Sequence, residues 1–465
     1  MSDQRAREQG GLWTRRRFLG SACAAVGMTS LASTAFDLRR VAAAAIGPTD
    51  FGALVCVFLY GGNDGNNTIV PRGPDYASYA ATRGPLALPE ASLLSINATP
   101  DGRQWGLHPS LSAVRSLYQQ NRVALVANVG PLVAPLTLAQ YQAGSAAVPP
   151  QLFSHSDQTL HWQTSLPDQP GRTGWGGRVV DLVHALNENP QVSMAMSVGG
   201  TNTFQVGNVV AQYQVSPWGV ISLDGYSDGT QWNDPASTAI RSVMAQSYGN
   251  LLTAGYRDVF QRAVAQEATL SAALQSTPPL QTSFPDTDAG HQLQTVARLI
   301  AARGPLGLRR QVFFCAVGGY DTHSEQVGAS AQVGAHADLL TELDGALGAF
   351  YTATVEMGVQ GLVTTFTASD FGRTYAVNGG GSDHGWGGHH IVMGGAVAGG
   401  QVYGQMPVLA IDGPDDVGDG RWLPTTSVDE YAATLARWFG VASSDMGLVF
   451  PNLGRFQHPN LGFMT

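Results

Sequence analysis

The chain has 465 residues, a formal net charge of −9 from 34 acidic and 25 basic side chains, and hydrophobic residues at 44%. An acidic chain with scattered basic residues is a poor partner for nucleic acid or an anionic membrane. Every basic residue is Arg, so a P-loop lysine, a pyridoxal-phosphate Schiff base and a Ser–Lys dyad are excluded, and any anion clamp must be Arg, a metal or backbone N–H groups.

Residues 1–45 read as an export address. Thr14-Arg15-Arg16-Arg17-Phe18-Leu19 fits the twin-arginine pattern, the apolar stretch 19–35 follows, and Ala42 to Ala45 offer a small-residue cleavage site. The expected route is the Tat machinery, which carries folded proteins to the periplasm or beyond. Cleavage would remove seven Arg and three acids and move the net charge from −9 to −13. No later segment approaches the ~20 consecutive apolar residues of a membrane span. The mature chain, 46–465, is expected to form one domain, with 196–304 inserted within it.

Leu54–Tyr60 is a short apolar run that breaks at Gly61-Gly62-Asn63-Asp64. Such runs, bounded by Gly and Asp, read as buried parallel strands. A helix over 111–120 and a strand over Val123–Val129 come next. The run Phe153-Ser154-His155-Ser156-Asp157-Gln158 offers two hydroxyls beside an imidazole. Residues 196–240, rich in Gly, Asn, Thr and aromatics, read as a β-rich excursion, and 240–304 as two helices. Val312–Val317 is a second apolar run, ending in Gly318-Gly319-Tyr320-Asp321-Thr322-His323, and Leu362–Thr367 a third, ending in Ala368-Ser369-Asp370-Phe371-Gly372-Arg373.

Between the last two runs, Leu339, Leu340, Leu343, Leu347, Phe350 and Tyr351 recur at helical spacing. Strand, helix and strand then make a right-handed βαβ unit, which puts Asp321 and Asp370 on one edge. Ligands gather at that carboxyl edge in α/β sheets. Five of the eleven histidines fall between 323 and 390, among them His384, His389 and His390 in the Gly-rich stretch 381–390. If Asp64 joins the same edge, carboxylates and imidazoles converge as a metal site, with oxygen and nitrogen donors suited to Zn²⁺, Mn²⁺, Mg²⁺ or Ca²⁺. Taken singly, each is better explained as a turn Asp or a core His; taken together, they are better explained as a metal site. Cys56 and Cys315 sit inside predicted strands and read as buried free thiols; Cys23 leaves with the signal. Ser427-Val428-Asp429-Glu430 reads as a capping box opening a packing helix.

The twin-arginine signal, LVCVFLYGGNDGNNTIVP, GLHPSL, LFSHSDQ, GGYDTH, SDFGRT and SDHGWGGHHIVMGG together resemble the bacterial domain-of-unknown-function 1501 family. That family is placed in the alkaline-phosphatase-like superfamily of phosphatases, sulfatases and phosphomutases. The resemblance implies an α/β fold, a mostly parallel sheet sandwiched between helices, with one or two divalent metal ions in a shared site. It implies that Asp64 touches a metal, that Asp321 and His323 form the ligand pair of one ion, and that Asp370 serves the other. Phe371 stands where the superfamily shows a histidine, and His384 is its best substitute, with His389 or His390 next. The resemblance further places a hydroxyl nucleophile at Ser154, beside His155, with Ser156 as the alternative; an N-cap role for Ser154 is equally open.

Arg373 would either clamp an anionic oxygen or order its loop through a salt bridge. His108 would enter the site or cap a loop, and Asn63, Asn66 and Asn67 would donate to phosphate oxygens or shape a turn. No Cys-x-Pro-x-Arg motif exists, so a formylglycine nucleophile is unavailable and phosphate esters are favoured. Two readings follow. One is an exported metal-dependent hydrolase of phosphate or sulfate esters, acting on a small-molecule or polymer substrate. The other is a non-catalytic, metal-stabilised periplasmic binding or assembly protein. A redox enzyme is disfavoured, since the chain has no Cys cluster, haem motif or dinucleotide fingerprint.

Overall fold

The computed structural model describes residues 50–223, 226 and 235–465; the export signal and Cys23 lie outside the described residues. The main sheet is built from β1 (Gly52–Leu59), β2 (Val123–Gly130), β3 (Ala195–Ser197), β4 (Tyr213–Gln214), β5 (Arg310–Val317), β6 (Val363–Ser369), β7 (Gly388–Gly394), β8 (Val402–Tyr403) and β9 (Thr426–Ser427). Its order is β8-β2-β7-β6-β1-β5-β3-β4, with β9 also paired to β2.

The three apolar runs are the centre of this sheet. β1 lies between β5 and β6 and pairs parallel with both, with Leu59 opposite Val317 on one side and Ser369 on the other. All eight residues of β1 are buried, as expected of a strand covered on both faces. Because the three strands run parallel in matched register, the loops after Leu59, Val317 and Ser369 leave from one edge. β7 runs antiparallel to both β6 and β2, so the sheet is mostly, not wholly, parallel.

Six helices matter for the site: α1 (Ser112–Gln119), α2 (His155–Thr164), α3 (Trp175–Val183), α4 (Asp288–Ala301), α5 (Ala335–Glu356) and α6 (Val428–Phe439). Strand alternation splits the core in two. Val55, Val57 and Leu59 of β1 face one cluster with Val114 of α1, Leu293 of α4 and Leu340, Leu343, Leu347 and Phe350 of α5. Leu54, Cys56 and Phe58 face the other with Trp162 of α2, Val179 of α3 and Tyr431 and Leu435 of α6. Each such buried side chain contributes about 1.5–3 kcal/mol from leaving water. The predicted crossover helix is therefore α5, and its apolar stripe holds β5 and β6 in place around β1.

The stretch from 196 to 304 contributes the short strand pair β3–β4, which extends the main sheet beside β5, and then the helices Pro235–Ala245, Leu251–Ser276 and α4. Ile69–Arg72, Leu94–Ser95 and Gln104–Leu107 form a small antiparallel sheet of their own. Cys56 and Cys315 are buried and free. The capping box is present: the Ser427 hydroxyl accepts from the Glu430 amide, and the Glu430 carboxylate accepts from the Ser427 amide. Among the described residues no helix is long and apolar enough to cross a membrane.

Candidate metal centre

The strand-end loops touch directly. Gly61 has φ +112°, and a Cβ there would overlap the Asp321 amide nitrogen, so only glycine lets the β1 and β5 loops approach this closely. The Gly61 amide donates to Asp370 Oδ2 at 3.1 Å, which joins the β6 loop to the same point. Arg373, 1% exposed, then clamps the edge. It donates to the carbonyls of Gly61 at 2.7 Å and Ser382 at 2.9 Å, and to Asp321 Oδ1 at 3.0 Å. Partial burial pushes the Asp321 carboxyl up, but the Arg373 guanidinium and neighbouring imidazoles bring it below the usual carboxylate value. Arg373 is thus the buried tie of its loop, and its reading as a clamp for a substrate oxygen is not what the structure shows.

Three imidazoles surround Asp321 Oδ1, and each is held from behind. His384 Nδ1 lies 2.7 Å from the Phe153 carbonyl, His323 Nδ1 lies 2.8 Å from Asp383 Oδ1, and His155 Nδ1 lies 2.6 Å from Asp370 Oδ2. A carbonyl or an ionised carboxylate can only accept, so with these partners each Nδ1 donates and each ring turns its Nε2 inward. The Nε2 atoms of His323, His384 and His155 lie 3.0, 3.5 and 3.4 Å from Asp321 Oδ1. Those of His323 and His384 are 2.8 Å apart. The buried His155 Nε2 has no hydrogen-bond partner among the described residues.

Lone pairs this close to each other and to a carboxylate repel unless a cation or a proton lies between them. Burial lowers the affinity of His384 for a proton. Ligand atoms of His155, Asp321 and His384 all lie within 4.8 Å of one another. An imidazole whose other nitrogen is fixed by a carboxylate or carbonyl is the usual arrangement behind a metal ligand. The donor set therefore fits a divalent cation.

The remaining candidates fall elsewhere. Asp64 is fully buried and forms an ion pair with Arg83. It also accepts from Gln326 Nε2 and, at 3.0 Å, from the Asn66 amide, so it stands apart from the imidazoles. Asp370 orients His155 from behind through Oδ2, its buried Oδ1 has no hydrogen-bond partner among the described residues, and burial raises its carboxyl pKa. Phe371 packs against two of the rings, 4.8 Å from His155 and 4.7 Å from His384 between centroids.

His389 and His390 lie in the core on β7. The His389 Nδ1 accepts from the Asn128 amide at 3.0 Å, and His390 packs edge-on to Trp162. Burial lowers them to about 4 and about 3, so both are neutral core residues. His108 is buried, accepting from the Ser110 amide at 3.0 Å, and caps its loop. Asn63, Asn66 and Asn67 bond to His336, the Arg373 carbonyl and the Leu86 carbonyl and shape the turn around Asp64.

Ser154 precedes α2 but makes no side-chain cap bond to it. Its hydroxyl donates to Asp157 Oδ2 at 2.6 Å and lies 3.1 Å from that of Ser156. Phe153, just before it, holds φ +69°, a strained value for an aromatic residue. That turn aims the Phe153 carbonyl at His384 while starting α2 with His155. Sequence reasoning placed His155 beside the nucleophile and missed its part in the cluster. It also missed Arg83, Asp383 and the Phe153 carbonyl. Asp383 was in sight, adjacent to His384; Arg83 gave no signal. A cleft of about 440 Å³ lined by Leu132, Leu136, Leu423, Phe456 and His458 includes none of the imidazoles of the cluster.

The chain belongs to the family described as "Protein of unknown function (DUF1501)", whose model matches residues 52–445. No curated protein matches it. Among solved structures it is similar to the sulfatase PsFucS1 from Pseudoalteromonas sp., at 10% identity and a TM-score of 0.34, over 85% of this chain and 69% of that one. It is similar also to the lipoteichoic acid synthase LtaP from Listeria monocytogenes, at 8% identity and a TM-score of 0.34, over 86% and 75%. A third is the phosphonate monoester hydrolase SpPMH from Silicibacter pomeroyi, at 10% identity and a TM-score of 0.31, over 83% and 73%. Likeness this slight carries neither a substrate nor an activity across.

Proposed function

We propose that the protein is an exported hydrolase of phosphate or sulfate esters, dependent on a divalent cation held by Asp321, His155, His323 and His384. The observation that carries this reading is the convergence of three inward-facing Nε2 atoms on Asp321 Oδ1. Three imidazoles and one carboxylate suit Zn²⁺ or Mn²⁺ better than Mg²⁺ or Ca²⁺. Bound there, such an ion supplies a Lewis acid for an ester oxygen and makes a nearby hydroxyl more acidic.

The chain's own groups do the rest. Ser154 is the nucleophile, and Asp157, already accepting its hydroxyl proton at 2.6 Å, is the base that takes it. The N-terminus of α2 favours negative charge developing beside Ser154. Asp370, Asp383 and the Phe153 carbonyl hold the imidazoles in one tautomer, and Phe371 packs against two of the rings. The substrate is a small-molecule or polymer ester. Work in the periplasm or outside the cell follows from Arg15 and Arg16 in the twin-arginine pattern.

The test is turnover by the metal-loaded mature protein on aryl phosphate, phosphodiester and aryl sulfate, beside Ser154→Ala. Activity on one class, falling about a thousandfold or more in Ser154→Ala with the metal retained, is expected. No turnover on any class with the ion bound would leave the second reading, a metal-stabilised binding protein. One observation favours that alternative: Arg373 is buried against carbonyls and Asp321 and offers nothing to an anionic substrate.

A further inference from the structure

The position of Asp64 raises a separate question, because it follows β1 on the edge that carries the imidazoles and is as buried as any of the described residues. A carboxylate with 0% exposure needs a compensating charge at contact distance. We propose that this protein holds one cation and that the guanidinium of Arg83 permanently takes the place of a second beside Asp64. The proposal rests on the reading of His155, Asp321, His323 and His384 as a cation site.

The residues around Asp64 do not fit a metal. Oδ2 is paired with Arg83, itself 0% exposed, and accepts from Gln326 Nε2. Oδ1 accepts from the Asn66 amide at 3.0 Å, as Asp64 caps the short helix Gly65–Thr68. The groups facing the carboxylate are thus N–H donors, which cannot ligate. His336, whose charge bears on Asp64, turns its Nε2 to Asn63 Oδ1 at 3.1 Å. Arg83 cannot swing aside either. Its Nε donates to Asn67 Oδ1 at 3.3 Å, and one terminal nitrogen donates to the carbonyls of Thr374 at 3.1 Å and Tyr375 at 3.3 Å. The helix Tyr76–Arg83 delivers it, anchored by the buried Tyr79, whose hydroxyl donates to Asn67 Oδ1 at 2.8 Å.

This pair belongs to the same edge as the cluster. Gln326, which donates to Asp64, accepts from Ser382 Oγ at 2.8 Å and from Thr322 Oγ1 at 3.3 Å, and Thr322 lies between Asp321 and His323. A fixed single charge that cannot dissociate thus holds up one side of the site whatever the metal supply. The exchangeable charge sits only among the imidazoles.

The test is elemental analysis of the purified protein after incubation with excess Zn²⁺ and removal of free ion. One equivalent per chain is expected. Two equivalents overturn the proposal and leave the cation site standing; none overturns both. The neutral double variant Asp64→Asn/Arg83→Gln avoids stranding a buried charge. It is expected to keep the one equivalent, and loss of that ion would mean that Asp64 is a ligand after all. Arg83→Ala, which frees the carboxylate, is expected to bind additional Zn²⁺ weakly, seen as a second phase in calorimetric titration; a titration unchanged from the parent would count against the guanidinium as the excluding charge.

Discussion

Asp429, at the start of α6, is buried, with 1% exposure. Burial pushes its carboxyl up to about 7, although the Ser165 hydroxyl and the Arg178 guanidinium pull the other way. A folded-state pKa above the unfolded one means that the native chain binds more protons between the two values. Its contribution is then fully present below about pH 4 and is lost as pH rises through about 7, a swing on the order of 4 kcal/mol. Asp429→Asn removes the titrating group but keeps the shape. The variant should melt above the parent at pH 8, with the gap closing as pH falls towards 5. An equal difference at both pH values would mean that Asp429 is ionised in the fold throughout.

At the same scale, the site shows why residue types alone misassigned roles. Asp64, Asp370 and Asp321 all end strands on one edge, yet one is neutralised by Arg83, one orients His155 and one faces the rings. The partner decides the role, and the partners of Asp64 and Asp370 lie 19 and 215 residues away.

Among elements, the loops after β1, β5 and β6 work as one unit because glycines let their backbones meet. Gly61→Ala adds a Cβ that would overlap the Asp321 amide, at a φ that alanine rarely adopts. The β5 loop must then shift, carrying Asp321 and His323 out of place. Zn²⁺ affinity should fall about 10- to 100-fold, the range seen when positioning of ligands is disturbed. Gly304→Ala, where a Cβ meets nothing within 4 Å, is the control and should leave affinity unchanged. Equal affinity in both variants would show that the loop contact does not position the ligands. The α2 start belongs here too: the strained Phe153, whose carbonyl holds His384, is followed directly by Ser154 and His155, which would tie the proposed nucleophile's position to that of the rings.

For the whole molecule, a cation at the centre would link α2, the β5 loop and the 381–390 loop, which are far apart in the chain. Binding to the folded state alone stabilises by about 2.7 kcal/mol when free ion reaches 100 times the dissociation constant. Chelation should therefore lower the melting temperature by a few degrees, and Zn²⁺ or Mn²⁺ should restore it. Identical melting with chelator and with metal would remove the cation from the account. Export belongs to the same scale, since twin-arginine transport acts on the folded chain. Replacing Arg15 and Arg16 together by Lys should keep the protein in the cytoplasm, as read by fractionation; normal export of that variant would refute the signal.

Much of the architecture was legible in order along the chain. Apolar runs bounded by Gly-Gly-x-Asp became β1 and β5, the spaced leucines of 339–351 became the inner face of α5, and Ser427 with Glu430 became a capping box. These signals are local: strand burial, helical periodicity and caps depend on residues within a few positions of one another. The common edge of Asp321 and Asp370 was legible as well, because the handedness of a βαβ unit leaves little choice. What only the tertiary structure decided is which charged group meets which. Arg83 reaches Asp64, Asp370 lies behind His155, and Arg373 turns inward to carbonyls rather than out to a ligand. Electrostatic pairing of buried groups depends on distances of a few ångströms between segments up to some three hundred residues apart, and no local pattern in a single sequence encodes that distance.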